Sequence, residues 1–367
     1  MSEYEQRINK LKENLVKDDI DLAIITDPAN VFYFTGFNSE PHERFMAFVF
    51  EPKYDKYTLF VPALDKDAAS QDSVISEVIS ISDEEDPFAI LSDHITNNIH
   101  SIAVETSYMS MYRHQELQKI FPKATYVNIE KHVNVLRLNK SRQEIDYLQE
   151  AVDIIEKVLT EGLKTVKIGM TELELAGQFE LLMKKFGAVG PSFSTLVLSG
   201  EKSALPHGIP GDRKFEKGDF LLIDFGVITK NGYCSDMTRT FVIGEATKKQ
   251  KEIYNIVRES NQAGIDAVEA NVPLKKFDLK ARKIIDDSGY GDYFNNRIGH
   301  GLGIEVHEAP SIHEKNEQIA EPGLFFTIEP GIYIPGYGGV RIEDEVYINE
   351  NGDSEVLTSF PKELQIL

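Results

Sequence analysis

Apolar and polar positions alternate along the first third of the chain in two different rhythms. Short apolar runs at 21–27, 45–50, 57–64, 78–82, 101–105 and 125–129 predict strands. Between several of them lie amphipathic stretches. Ile8, Leu11 and Leu15 recur at helical spacing, and the segments 86–97 and 110–120 repeat that pattern. The alternation predicts an α/β domain with no Gly-rich phosphate loop.

Near residue 132 the character changes. Ser141-Arg142-Gln143-Glu144 reads as a capping box, followed by an apolar helical stripe of Ile145, Leu148, Val152, Ile155 and Leu159. Thr171-Glu172-Leu173-Glu174 repeats the device ahead of Ala176, Phe179, Leu182 and Phe186. Further helices are expected over 249–268 and 279–287, with strands and turns elsewhere. The expectation is therefore two domains, 1–132 and 133–367, the second an α+β domain with helices on one side of a curved antiparallel sheet.

Composition narrows the function classes. The 367 residues carry a net charge of −21, and 41% hydrophobic content suffices for two buried cores. So acidic a surface repels phosphate backbones and anionic headgroups, and no Lys/Arg block stands out, which argues against nucleic-acid and membrane partners. The apolar runs are far shorter than a membrane span, and the N-terminus lacks the pattern of a secretory signal. Cys234 is the only cysteine, so no internal disulfide is possible; a reducing cytoplasm is the expected location.

Within the second domain, Asp, His and Glu interrupt segments that are otherwise apolar or Gly-rich. Asp224 follows the apolar run Phe220-Leu221-Leu222-Ile223, where a bare carboxylate is costly to desolvate and needs a cationic partner. Asn231-Gly232 marks a turn to the segment holding Asp236. A two-residue turn would put Asp224 and Asp236 on opposite faces. A three-residue loop, Lys230-Asn231-Gly232 with Gly232 left-handed, puts Asp236 opposite Gly226 and on the Asp224 face, within about 8 Å, where two carboxylates can bridge a pair of metal ions. The bulged loop is therefore predicted.

Glu329 and Glu343, on strands expected at 325–328 and 340–347, form a second carboxylate pair. His300, between Gly299 and Gly301, can add one imidazole nitrogen, and such an oxygen-rich set suits Mn²⁺, Co²⁺ or Fe²⁺, and Zn²⁺ less selectively. Taken singly, each residue has a plainer explanation: Asp224 as a cap, His207 as a loop residue, Glu343 beside Arg341 as a surface ion pair. Independent accidents would not place all of them together.

At these residues the sequence resembles the proline-specific members of the methionine-aminopeptidase-like metallopeptidases, Xaa-Pro dipeptidase (prolidase) and aminopeptidase P, whose catalytic domain has the pita-bread fold. The resemblance covers essentially the whole chain. Asp27-Pro28-Ala29-Asn30-Val31 running into Tyr33-Phe34-Thr35-Gly36-Phe37 is similar to the family's creatinase-like N-terminal domain. The resemblance implies that Asp224, Asp236, His300, Glu329 and Glu343 bind two divalent ions, commonly Mn²⁺, with Asp236 and Glu343 bridging. It further implies that His207 contacts substrate near the scissile bond, that His307 stabilises the tetrahedral intermediate, and that Arg341 positions carboxylates or substrate.

The implied reaction is hydrolysis of the Xaa-Pro bond by metal-activated hydroxide, with Glu329 carrying the proton to the leaving proline nitrogen. Xaa-Pro dipeptidase is the favoured reading and aminopeptidase P, acting on Xaa-Pro-Yaa peptides, the alternative. A creatinase-like hydrolase without metals and a non-catalytic binding protein are disfavoured by the complete ligand set. Proline-containing dipeptides or short peptides are the expected substrates, and a homodimer the expected assembly. There are two departures from the family pattern. The spacing of Asp224 and Asp236 is one residue longer than in many relatives. Also, His307-Glu308-Ala309-Pro310 is followed by Ser311, where some prolidases place an arginine for the dipeptide carboxylate. His313, Lys315 or a longer peptide substrate are the possible compensations.

Overall fold

Each of the six apolar runs of the first third forms a strand in the computed structural model, which describes residues 2–95 and 97–367. Met1, at the head of the segment read for a secretory signal, and Thr96, within the expected helix 86–97, lie outside the described residues. Two compact units are present, Met1–Arg137 and Leu138–Leu367.

In the first unit, helix α1 (Glu3–Lys17) starts at a capping box between Ser2 and Glu5 and buries Ile8, Leu11 and Leu15. Strands β1 (Leu22–Ile25), β2 (Ala47–Glu51), β3 (Lys56–Pro62), β4 (Val78–Ile81), β5 (Ser101–Val104) and β6 (Thr125–Asn128) form a mixed sheet of order β4-β3-β2-β1-β5-β6. Helices α4 (Pro87–His94) and α5 (Met111–Ile120) pack Phe88, Leu91 and Leu117 into the cluster of Leu22, Ile24, Val49 and Phe60.

Three helices escaped the periodicity reading: α2 (Pro28–Thr35), α3 (Lys66–Asp72) and α6 (Glu130–Leu138). Helix α2 is buried from Asn30 to Thr35, so it shows no polar face to set a period; the Asp27 side chain accepts from Ala29 N at 3.0 Å, and Pro28 occupies the first turn. The unit division falls beyond the expected 132/133 boundary because α6 buries Val133 and Arg137, whose Nη1 donates to Asn30 Oδ1 at 2.7 Å.

The second unit opens with α7 (Arg142–Leu163) and α8 (Glu172–Lys185), both starting at the expected capping boxes; α7 buries its expected stripe and α8 buries Ala176, Phe179 and Leu182, while Phe186 caps the helix end half-buried. Helices α9 (Lys248–Asp266) and α10 (Lys275–Asp287) follow, α10 beginning earlier than expected because Leu274 and Phe277 are buried. The strands are β7 (Gly190–Pro191), β8 (Leu196–Ser199), β9 (Phe220–Phe225), β10 (Val227–Ile228), β11 (Met237–Val242), β12 (Gly299–Gly301), β13 (Glu308–Ile312), β14 (Phe325–Ile328), β15 (Gly331–Ile334), β16 (Gly338–Arg341), β17 (Asp344–Ile348) and β18 (Ser354–Val356).

Among the described residues these strands make several short sheets: β11-β9-β8, β13-β12-β14-β17-β18, and the pairs β10-β7 and β15-β16. The expected single strand 340–347 is divided at Ile342-Glu343, and β14 is parted from β15 at Glu329-Pro330. The reason lies in the backbone. Glu329 N donates to Ile298 O, just ahead of β12, at 2.6 Å and Glu343 N to Thr238 O in β11 at 3.1 Å, so both residues leave their own ladder to bond another segment. Among the described residues no helix is long and apolar enough to cross a membrane.

Candidate metal centre

The hairpin between β9 and β11 sets the first two carboxylates. Thr229 N donates to Tyr233 O at 3.0 Å, which leaves Lys230-Asn231-Gly232 as a three-residue loop with Gly232 at φ 79°. The register pairs Thr238 with Asp224 and Met237 with Phe225, so Asp236 shares the Asp224 face, as the bulged loop requires.

His300 comes from β12, pressed between β13 and β14. A Cβ at Gly299 would meet Thr327 O at 1.8 Å and one at Gly301 would meet Ala309 O at 2.1 Å, so only glycine permits this approach. The His300 Nδ1 lies 3.1 Å from Gly301 O, which assigns the proton to Nδ1 and leaves the Nε2 lone pair facing inward. That nitrogen sits 3.6 Å from Asp236 Oδ2 and 3.4 Å from Glu329 Oε1.

A donor set of this kind fits a cation. Ligand atoms of Asp236, His300 and Glu343 all lie within 4.8 Å of one another. Asp224 Oδ1, Asp236 Oδ1 and Glu343 Oε1 are buried with no hydrogen-bond partner among the described residues. Converging acceptors without a donor among them repel unless a positive charge or protons separate them. Accordingly, burial and then the neighbouring Glu343 and Asp224 carboxylates push Asp236 well above its ordinary value. Burial and then Glu329 and Asp224 do the same at Glu343. Burial pushes Glu329 up to about 7, against the nearby Arg341 charge. Burial, and then His307, holds His300 down to about 3, so its imidazole is neutral, the form that ligates metals.

Arg341 is buried against this cluster. Its Nη2 bonds Asp224 Oδ2, Nη1 donates to Tyr333 OH at 2.8 Å, and Nε donates to Thr238 Oγ1 at 2.9 Å. Thr238 Oγ1 in turn donates to Glu343 Oε2 at 2.8 Å. Burial alone would lower the arginine's pKa, but Tyr333 and the carboxylates hold it well above the ordinary value. Asp236 N donates to Oε1 of the buried Glu345 at 2.6 Å.

A cavity of about 650 Å³ joins Asp224, Asp236, His300, Glu329, Glu343, His207, His307 and Arg341. All eight sequence-nominated residues thus line one space. His313 and Lys315 do not line it. Thr238, Tyr333, Arg297 and Glu345 went unrecognised in the sequence. Thr238 and Glu345 carried a weak signal, each two residues along a strand path from a nominated carboxylate. Tyr333 and Arg297 carried none.

A family model for metallopeptidase family M24 matches residues 146–350, and one for the creatinase/prolidase N-terminal domain matches residues 7–139. The chain belongs to metallopeptidase family M24. An uncharacterized peptidase of Staphylococcus haemolyticus is 41% identical over 97% of this chain and 99% of its own length. The M24 chain superposes on an Xaa-Pro dipeptidase from Bacillus anthracis with a TM-score of 0.91 at 33% identity, covering 99% of this chain and 100% of that one. An X-Pro aminopeptidase from Thermotoga maritima gives a TM-score of 0.88 at 33% identity, covering 97% and 99%. The fold is the α+β pita-bread domain preceded by a creatinase-like α/β domain, and M24 membership makes the protein a metallopeptidase that uses divalent metal ions.

Proposed function

We propose that this M24 chain is an Xaa-Pro dipeptidase, hydrolysing the bond before proline with two divalent ions, foremost Mn²⁺, held by Asp224, Asp236, His300, Glu329 and Glu343. The observation that carries the reading is the convergence of Asp236, His300 and Glu343 ligand atoms, with the buried oxygens Asp224 Oδ1, Asp236 Oδ1 and Glu343 Oε1 left without a hydrogen-bond partner among the described residues. Ions held there would lower the pKa of a water and polarise the peptide carbonyl.

The chain's own groups supply the rest. Glu329, raised towards neutrality by burial, can hold a proton and pass it to the leaving proline nitrogen. His307 stands edge-on to His300, with ring centroids 4.2 Å apart, and partial desolvation followed by the Arg297 charge keeps it neutral, a hydrogen-bond donor for the developing oxyanion. His207, exposed on the cavity wall, orients the peptide. Arg341 and Thr238 hold Asp224 and Glu343 in place. A cytoplasmic homodimer completes the proposal, on the single buried Cys234 and the family resemblance.

The aminopeptidase reading has one observation in its favour, Ser311 in place of an arginine. Alanylproline and alanylprolylalanine, assayed side by side with Mn²⁺, separate the two. Hydrolysis of the dipeptide is expected; cleavage of the tripeptide alone rejects the dipeptidase reading.

A further inference from the structure

Helix α8 opens on two glutamates that do different things. Glu174 Oε2 accepts from Thr171 N at 2.7 Å and completes the capping box. Glu172, two residues earlier and fully buried, turns away from its own helix. Its Oε1 accepts from Ser199 N at 2.8 Å and Ser199 Oγ at 2.9 Å, and its Oε2 from Lys202 Nζ at 2.6 Å and Gly211 N at 3.0 Å. These donors fill the acceptor sites of one carboxylate, and among the described residues none of them comes from α8. A cap at this position would stay at the surface, whereas a carboxylate taken out of water is tolerated only where hydrogen bonds and a cation saturate it.

The donors come from both ends of the segment 200–210. Its near end leaves β8, whose register with β9 sets Leu196 opposite Asp224 and Ser199 opposite Leu221, so the segment starts from the sheet that carries Asp224. Its far end is tied to α8, where Glu172 N donates to Arg213 O and Leu173 N to Gly211 O, each at 3.2 Å. The Glu172 carboxylate joins the two ends, together with Arg213 Nη1, which donates to Ser199 Oγ at 2.7 Å. Ser203 Oγ, accepting from Gly339 N at 2.8 Å, secures the first turn of the segment against β16. Beyond Ser203 the tip has little packing to hold it, since Leu205, His207 and Ile209 are exposed. Yet Pro206 and His207 of this tip line the cavity that holds Asp224, His300 and His307.

We propose that Glu172 is the positioning residue for His207: by clamping the two ends of 200–210 it holds the imidazole at the cavity wall before a peptide arrives. The inference rests on the reading of His207 as a group that orients the peptide, and adds to it what keeps that group in place. A tip freed of its clamp has more conformations to lose when the peptide binds, so the loss falls on KM more than on kcat.

Glu172→Gln keeps the shape but, whichever way the amide turns, leaves either Ser199 N or Gly211 N without an acceptor. With alanylproline and the Mn²⁺-loaded protein, KM is expected to rise about tenfold with kcat within about twofold of the wild type, and the same substitution in a His207→Ala background to change KM less than about twofold. In the protein loaded with diamagnetic Zn²⁺, the His207 ring signal, assigned by its loss in His207→Gln, is expected to shift towards that of free histidine in Glu172→Gln. Equal effects of Glu172→Gln in the two backgrounds overturn the proposal, as does an unmoved His207 ring signal. If Glu172→Gln fails to fold, Lys202→Met, which removes one donor at a partly exposed position, carries the same comparison with a KM rise of about threefold expected. Should the wild type fail to hydrolyse alanylproline, the proposed reaction falls, and the His207 ring signal still decides the role of Glu172.

Discussion

Arg341, at the end of β16, and Asp224, in β9, belong to different sheets and meet in a buried ion pair that ties the hairpin carrying Asp224 and Asp236 to the β16–β17 segment carrying Glu343. Removing one member of such a pair leaves an uncompensated buried charge, at a cost of about 3–5 kcal/mol. Arg341→Met is therefore expected to lower the denaturation midpoint of the metal-free protein strongly, and bound Mn²⁺, itself a cation beside Asp224, to recover part of the loss. Calorimetric scans with and without Mn²⁺ measure both; an unchanged midpoint in the metal-free variant contradicts the role assigned to the pair.

Asp236→Asn removes one ligand and one like charge together. Since burial and its neighbours Glu343 and Asp224 disfavour the Asp236 carboxylate, the metal-free variant should be at least as stable as the wild type. Its Mn²⁺-supported activity should fall about 10³-fold or more. Retained turnover would refute the ligand assignment.

Thr238→Val keeps the shape but cuts the link from Arg341 through Thr238 Oγ1 to Glu343 Oε2. Loss of outer hydrogen bonds of this kind costs about 10- to 100-fold in metal affinity or activity. Titration of the variant with Mn²⁺ should show the weakening, whereas Thr238→Ser should bind nearly as the wild type does.

Metal binding should expel protons. With Asp236 and Glu343 raised well above their ordinary values and Glu329 near 7, carboxyls of the metal-free cavity retain protons at pH 6 that a divalent ion must displace. Mn²⁺ affinity should therefore climb as pH rises from 5 towards 7. Calorimetry in buffers of differing ionisation enthalpy counts the protons, and a pH-independent affinity would contradict this account.

Glu105, far in sequence from that cavity, supplies a separate pH dependence. Burial pushes it up to about 7, although Thr26 N, Asp27 N and Asn30 Nδ2 all donate to it. A carboxyl raised above its unfolded value of 4.5 binds more protons folded than unfolded, so its contribution is complete below 4.5 and is lost as pH rises towards 7. The loss is at most roughly 3 kcal/mol, from 1.36 kcal/mol per pKa unit. Amide protection at Thr26 and Asp27, taken relative to the intrinsic exchange rate at each pH, should fall across that window in the wild type, and Glu105→Gln should flatten the trend.

Much of the candidate site was legible because its signals are local or periodic. A carboxylate ending an apolar run is anomalous by itself, and the Asp224 to Asp236 register follows from the length of one loop, since a one-residue slip reverses every side chain. Ser141 and Thr171 announced their helices through bonds spanning three residues. Where burial erased the polar face, as in α2, no period remained to be read.

The sequence by itself determined the capped helices, most of the strands, the ligand-type residues and the family resemblance, because caps, turns and strand alternation act within a few positions along the chain. Only the tertiary structure decided which partners the cations of the cavity meet. Arg341 is spent on Asp224, Tyr333 and Thr238, while Arg297, two residues ahead of β12, donates to Ser311 Oγ. Those relations join residues distant in sequence, Asp224 with Arg341 and Thr238 with Glu343, and depend on where β9, β11 and the β16–β17 segment come together, which no local pattern encodes.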